Sequence, residues 1–325
     1  MASIPVQFSK TFKLAFSILF LGFFAWQVAK TAPWQSSHVV HLYFEGIQLA
    51  GWLLVVALVF PNWWLEAQRW RCLCMPFEPL DALTALRHVL SGLATGFFIP
   101  GRLGECAGRL VGITDRCRLA AAMAWAAGGM IQWSVAFLGG LAALISYLAR
   151  AHSLLWIPEA WRFSALLWLG WGGGILLLFF LMARPVLRCI RSSFWSLIPL
   201  PLRMPAEAWL NLGLPALFKA GWLSAARYGV FVFQYLILLK LLGWNASLIE
   251  ALQLVALTYF MTLFLPLLPV AEPAARGSLA LYLFPEYEAY TAAILAAPAL
   301  LWTINVAVPA LMGWVLLLFQ PPRKA

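Results

Sequence analysis

The chain has 325 residues, 63% of them hydrophobic and only 10% charged, with a formal net charge of +10. Water-soluble domains carry about 25% charged residues, so a soluble enzyme or binding module is excluded and the composition is that of a polytopic membrane protein. Lipid cannot satisfy backbone hydrogen bonds, which leaves helices or a closed barrel, and long apolar runs without strict alternation choose helices.

Lys10 and Lys13 precede an apolar run from Leu14. It is long for a signal peptide, no small-x-small cleavage site follows cleanly, and it reads as the first span. Further runs approaching or exceeding the ~20 residues a bilayer core requires begin near Ile47, Leu119, Ser164, Gly221 and Ala292. Residues 89–99 are too short to cross and read as one arm of a re-entrant hairpin. Residues 249–268 are long enough but partly polar, and end at Pro266 and Pro269. The expected fold class is an all-α polytopic membrane protein with roughly six spans plus two re-entrant hairpins, or about seven spans and one hairpin if 249–268 crosses. If 249–268 descends and returns, three spans separate the hairpins, the second enters from the opposite side, and the halves form an inverted repeat. The expected division is a first membrane repeat over residues 1–182, a basic proline-broken interfacial connector over 183–220, and a second repeat over 221–325.

Charge orients this scheme. Arg69, Arg71, Arg87, Arg102, Arg109, Arg116 and Arg118 cluster after the second span, and Arg184, Arg188, Arg191, Arg203 and Lys219 after the fourth; Arg323 and Lys324 close the chain. Alternate loops hold little beyond Lys30, Arg150, Arg162 and Lys240. This is a positive-inside pattern with both termini cytoplasmic, and it favours anionic lipid surfaces over nucleic acid. Cys72, Cys74, Cys106, Cys117 and Cys189 fall in or beside cytoplasmic segments, where thiols stay reduced. Their odd number and the lack of a C-x-x-C spacing argue against a disulfide framework and a structural zinc site.

The residues expected to carry chemistry occur in two copies of one pattern. "TGFFIPGRLGECAGR" ends at Glu105 and Arg109, and "TLFLPLLPVAEPAAR" ends at Glu272 and Arg276. In each, a Glu and an Arg four apart follow a proline-broken apolar run. Charges beside a helix breaker in so apolar a chain mark the place to seek function. Pro100 ends the first arm, while Gly101 and Gly104 permit a tight turn and leave amides open to an anion. If Gly104 opens a short helix, its amino end and Arg102 favour phosphate or carboxylate; Glu105 and Arg109 can pair within one turn. At the end of the second span Asn62, Glu66 and Arg69 share a helical face. They either form a surface ion pair within an aromatic belt or line the hairpin and position Arg102 or Arg109. Arg227 and Gln234, seven apart, share another face; Arg227 can snorkel to the interface, whereas Gln234 should face the interior. His38 and His41 belong to a solvated loop, and Gly128, Gly129, Gly139 and Gly140 serve close helix packing. No phosphate loop, Ser-His-Asp set or metal cluster is visible, and neither cofactor nor metal is expected.

The "N…E..RW" end of the second span followed by "PGRLGE…R" resembles the flippase-like transmembrane region of the lysylphosphatidylglycerol synthase family. The later "R……Q" helix and "P…E…RG" segment resemble its second half. The resemblance implies a helical domain with hairpins that moves an aminoacylated phospholipid or another amphiphile between leaflets. It places the family motif on Asn62, Glu66, Arg69, Pro100, Gly101, Gly104, Glu105, Arg109, Arg227, Gln234, Glu272 and Arg276. The second hairpin departs from the family in being poor in glycine, with Pro273 and two alanines. The soluble synthase domain is not in this sequence, so the chain is not expected to be an enzyme. The expected function is a lipid translocator in a bacterial cytoplasmic membrane, its partners being anionic or aminoacylated lipids. The alternatives are a membrane subunit that anchors a separate synthase or transferase, and, ranked last, a lipid-linked glycosyltransferase.

Overall fold

A computed structural model describes residues 46–96, 103–150, 213–265 and 271–319. Every helix, strand or turn among them belongs to an all-helical architecture. Helix α1 (Gly46–Ala57) runs into α2 (Val59–Cys74); α3 (Ala82–Gly96) is followed by the short α4 (Leu103–Leu110) and the long α5 (Arg118–Arg150). Then come α6 (Leu214–Leu241), α7 (Leu248–Thr262) and α8 (Glu272–Leu283). Helix α9 (Thr291–Trp302) passes through a π-helical turn, Thr303–Ala307, into α10 (Val308–Phe319).

Among the described residues, four stretches are long and apolar enough to cross a membrane: Gln48–Cys74, Asp115–Leu148, Pro215–Leu241 and Pro285–Phe319. They coincide with the runs expected from Ile47, Leu119, Gly221 and Ala292. The runs expected from Leu14 and Ser164, and the connector as far as residue 212, lie outside the described residues. Leu53, Phe60, Trp133, Leu138, Trp222 and Phe319 point outward from these helices, as a lipid-facing surface requires. Within 249–268 the helix ends at Thr262; its 15 residues reach about 22 Å, less than the ~30 Å of a hydrocarbon core.

Part of the burial pattern of α1 and α2 recurs in α6 at a fixed spacing, although buried Asn62, Trp63 and Glu66 answer to half-buried Arg227, Tyr228 and Phe231. On α1 and α2, Val55, Val59, Ala67, Arg69, Trp70, Leu73 and Cys74 are buried. The residues 165 positions later, Ala220, Ser224, Val232, Gln234, Tyr235, Leu238 and Leu239, are buried too. Helices α3 and α7 begin on matching caps. The Asp81 carboxylate accepts from the Thr84 amide (2.9 Å) and hydroxyl (2.6 Å). Ser247 and Glu250, 166 positions on, form a reciprocal capping box. Two glycine crossings correspond as well. Gly140 of α5 lies against Phe260 of α7, and Gly313 of α10 lies against Leu90 and Ala94 of α3. Helix α5 thus packs on α7, and α10 on α3.

Helices α1 and α2, running on from one another, lie antiparallel to α6. The Gln234 amide donates to the Val55 carbonyl at one end (2.8 Å), and the Cys72 thiol to the Ala216 carbonyl at the other (3.5 Å).

The helix pairs α3–α4 and α7–α8 differ in the residues at their contact. Between α3 and α4 the backbones touch, because Gly92 and Gly96 of α3 lie against Glu105 and Arg109, while Gly104 and Gly108 of α4 lie against Ser91 and Thr95. A Cβ on Gly104 would strike the Thr95 carbonyl, and one on Gly108 the Ser91 carbonyl. The Thr95 hydroxyl donates to the Gly104 carbonyl at 2.6 Å. Between α7 and α8 the matching positions are Thr258, Thr262, Ala271 and Ala275, so this pair lacks the glycines that let α3 and α4 touch. Of the four glycines expected to serve packing, Gly128, Gly139 and Gly140 meet neighbours. Among the described residues nothing would lie within 4 Å of a Cβ on Gly129.

Candidate functional site

At the crossing of α2 and α6, Glu66 is only 3% exposed and is surrounded by three arginines. Its Oε2 lies 2.6 Å from Arg69 Nη2 and 3.2 Å from Arg227 Nη1; its Oε1 accepts from Arg109 Nη2 at 2.7 Å. Glu105 Oε2 is 3.8 Å from the same Arg109 nitrogen. These three arginines and two glutamates carry a net charge of +1. Each buried ion loses several kcal/mol of solvation, so the cluster persists only because every arginine meets a carboxylate at short range.

Helical spacing explains how one carboxylate gathers these partners. Arg69 lies one turn beyond Glu66 on α2. Arg109 is carried in from α4, whose glycine contact with α3 brings the short helix close, and its guanidinium also lies 5.3 Å from the Trp70 ring. Arg227 comes from α6 and rests over the Phe231 ring at 5.1 Å. The expected pairing of Glu105 with Arg109 within one turn is present, but it is the longer contact. The shorter one reaches Glu66, 43 residues away.

A chain of neutral polar groups extends from the charges. Arg69 donates to Gln132 Oε1 (2.9 Å) and Ser224 Oγ (3.0 Å). Arg227 Nε donates to Asn62 Oδ1 (2.9 Å), and Asn62 donates to Asn305 Oδ1 (2.6 Å). Asn305 donates in turn to Gln234 Oε1 (3.2 Å). Arg227 therefore points inward instead of snorkelling, and Gln234, fully buried, faces the interior as expected. Asn305 sits in the π-helical turn after Pro298, where the loosened backbone aims its amide across to both α2 and α6.

Glu272 and Arg276 are not part of this cluster. They pair with each other on α8 at 3.1 Å, both side chains 15% exposed, and Arg276 lies over the Tyr259 ring at 4.7 Å. Of the first hairpin, Gly104, Glu105 and Arg109 are in place, with α4 opening at Leu103. Pro100, Gly101 and Arg102 lie outside the described residues, as do His38 and His41. Among the described residues no group of three His, Cys, Asp or Glu side chains could hold a metal.

Gln132, Ser224 and Asn305 join the site without having been singled out in the sequence. Gln132 and Asn305 carried one signal: each is an amide inside an otherwise apolar run, and they lie at matching places in the two long spans.

Comparison with protein-family models, curated proteins and solved structures finds no match to this chain.

Proposed function

We propose that the protein is a membrane lipid translocator that passes an anionic or aminoacylated head group between leaflets of a bacterial cytoplasmic membrane. One observation carries this reading: a buried cluster of three arginines and two glutamates with an excess positive charge, at the crossing of two matching halves. Ionisable groups at such depth either hold helices together or line a path for polar cargo. Excess cationic charge, the forked geometry of arginine and a continuing row of amides favour a phosphate.

The antiparallel arrangement of α2 and α6 supports an inverted repeat. Two matching helices that cross the membrane in opposite senses are related by an axis in its plane. In that scheme the α3–α4 and α7–α8 hairpins enter from opposite sides and meet the crossing near mid-depth. The end of α2 and the start of α6, with Arg71, Arg87, Arg116, Arg118 and Lys219 nearby in sequence, face the cytoplasm. The resemblance to the flippase-like region of lysylphosphatidylglycerol synthases agrees with this reading.

The test is leaflet exchange in liposomes holding the purified protein, with labelled anionic, aminoacylated and polyprenyl-phosphate lipids. Exchange of one class by the wild type, lost in the Glu105→Gln/Arg109→Ala double variant, is the expected result. No exchange of any class by folded protein contradicts it and favours the partner-subunit reading.

A further inference from the structure

The buried charges do not cancel, and the remainder bears on which head group the network can take. Among the described residues the buried charged side chains are Glu66, Arg69, Glu105 and Arg109, and half-buried Arg227 joins them through Glu66. Three arginines against two glutamates leave one positive charge over. Their other hydrogen-bond partners among the described residues, Asn62, Gln132 and Ser224, are uncharged. Beyond Arg109, the Trp70 indole donates to His88 Nδ1 at 3.4 Å, which needs an unprotonated nitrogen and so a neutral imidazole. The pair of Glu272 and Arg276, in contrast, sums to zero.

The carboxylates and the guanidinium groups are not equally committed. Glu66 meets arginine nitrogens at 2.6, 2.7 and 3.2 Å, and Glu105 stands 3.8 Å from Arg109. An incoming ammonium would have to draw them away from those partners. Arg109 Nε, however, is shielded from solvent and donates to nothing among the described residues. A phosphate oxygen can accept there with no existing pair broken. Longer-range electrostatics acts the same way, since a charge in this poorly solvated crossing is felt more strongly than in water. A phosphodiester of an uncharged alcohol brings one negative charge and cancels the excess. Its alanyl ester is zwitterionic and leaves the excess standing. Its lysyl ester, with two ammonium groups against one phosphate, doubles it.

We infer that the network selects lipids whose head group is a phosphate with an uncharged remainder, and rejects the aminoacylated forms. This narrows the translocator reading and rests on it for the passage of a head group past these side chains. The selectivity lies in the unbalanced positive charge, with Arg109 as its contact.

Gln132 allows that charge to be removed without removing an arginine. Its Oε1 accepts from Arg69 (2.9 Å) and Arg227 (3.4 Å), and its Nε2 donates to the Ser224 carbonyl at 3.4 Å. Gln132→Glu keeps the acceptor, supplies the missing carboxylate and loses only the last of these bonds. Glu105→Gln moves the charge the other way. Binding of phosphatidylglycerol, its alanyl and lysyl esters, and a diacylglycerol with the same chains is measured on the full-length wild type and both variants in detergent, each shown monodisperse. Wild type should bind phosphatidylglycerol about tenfold or more tighter than the lysyl ester, with the alanyl ester between them. Gln132→Glu should weaken phosphatidylglycerol binding by about tenfold and narrow that gap, and Glu105→Gln should widen it, with diacylglycerol binding within about threefold throughout. Inorganic phosphate in excess should not displace phosphatidylglycerol; displacement assigns the site to the free ion and overturns the lipid claim. A lysyl ester bound as tightly as phosphatidylglycerol by the wild type, or a gap that neither variant moves, overturns the inference. The expected order of binding without leaflet exchange of any lipid overturns the translocator and leaves the selectivity standing. Exchange of the lysyl ester as fast as phosphatidylglycerol overturns the selectivity and leaves the translocator standing.

Discussion

Replacing Glu66 with Gln keeps the shape of the side chain and removes its charge, so it isolates what the central carboxylate does for the three arginines around it. The contacts at stake are 2.6, 2.7 and 3.2 Å long, at a residue 3% exposed. Removing one partner of a buried ion pair destabilises by about 3–5 kcal/mol, because the other charge is left uncompensated. Three such losses do not add here. Glu105 remains beside Arg109, and Gln132, Ser224 and Asn62 still accept from Arg69 and Arg227. The expected loss is therefore about 3–5 kcal/mol in total. For comparison, Glu272→Gln leaves a single, partly buried arginine without its carboxylate, both side chains being 15% exposed, and should lose less, about 1–3 kcal/mol. Unfolding in mixed micelles by titration with a denaturing detergent, followed by tryptophan fluorescence, measures both. Adding Arg109→Gln to Glu66→Gln should restore part of the loss, since it removes a stranded charge. A loss below about 1 kcal/mol for Glu66→Gln, or equal losses at the two positions, would refute the counter-ion argument.

Further predictions concern packing, caps and orientation. Gly108→Ala should destabilise by about 1–3 kcal/mol in the same titration, because its methyl meets the Ser91 carbonyl and Thr95 hydroxyl. The matching Ala275→Gly should lose at most about 1 kcal/mol. Ser247→Ala removes the capping box of α7 and should lose about 1 kcal/mol. Hydrogen bonds from the Thr84 side chain and amide hold the Asp81 carboxyl below its ordinary value of 3.8. Its cap is therefore fully formed above that value and is lost as pH falls through the lowered one. Amide exchange in the first turn of α3 should accelerate only in that acid range, and acceleration near neutral pH would contradict the assignment. Single cysteines at Asp115 and Glu286, which begin the two long spans, should label from opposite faces of sealed vesicles; labelling from one face contradicts the inverted repeat.

Much of the helical scaffold was legible because its cause is local. A run of apolar residues from Ile47, Leu119, Gly221 or Ala292 needs no partner to announce a membrane-length helix. The recurrence of Glu105/Arg109 as Glu272/Arg276 is likewise visible in the sequence itself. The wiring of the site was less legible, because it depends on what crosses between distant helices. Spacing alone pairs Arg109 with Glu105; only the glycine-tight approach of α4 to α3 brings it nearer to Glu66. Arg227 near a helix end looks like a snorkelling side chain until the antiparallel α2 presents Glu66 and Asn62 to it. Gln132 and Asn305 are single amides in apolar runs, and their significance follows from matching positions in the two long spans.

The central claim is that the buried charge network is a path for a head group and not only a brace between helices. Leaflet exchange per folded molecule in Arg109→Gln tests it most directly, at a temperature where circular dichroism and size exclusion show wild type and variant equally folded. The account predicts that exchange of the preferred phosphate-bearing lipid falls by about tenfold or more, as expected when a charge-assisted bidentate contact to the cargo is lost. Exchange equal to wild type, from protein whose stability has nevertheless dropped, would make the network a structural brace and contradict the account.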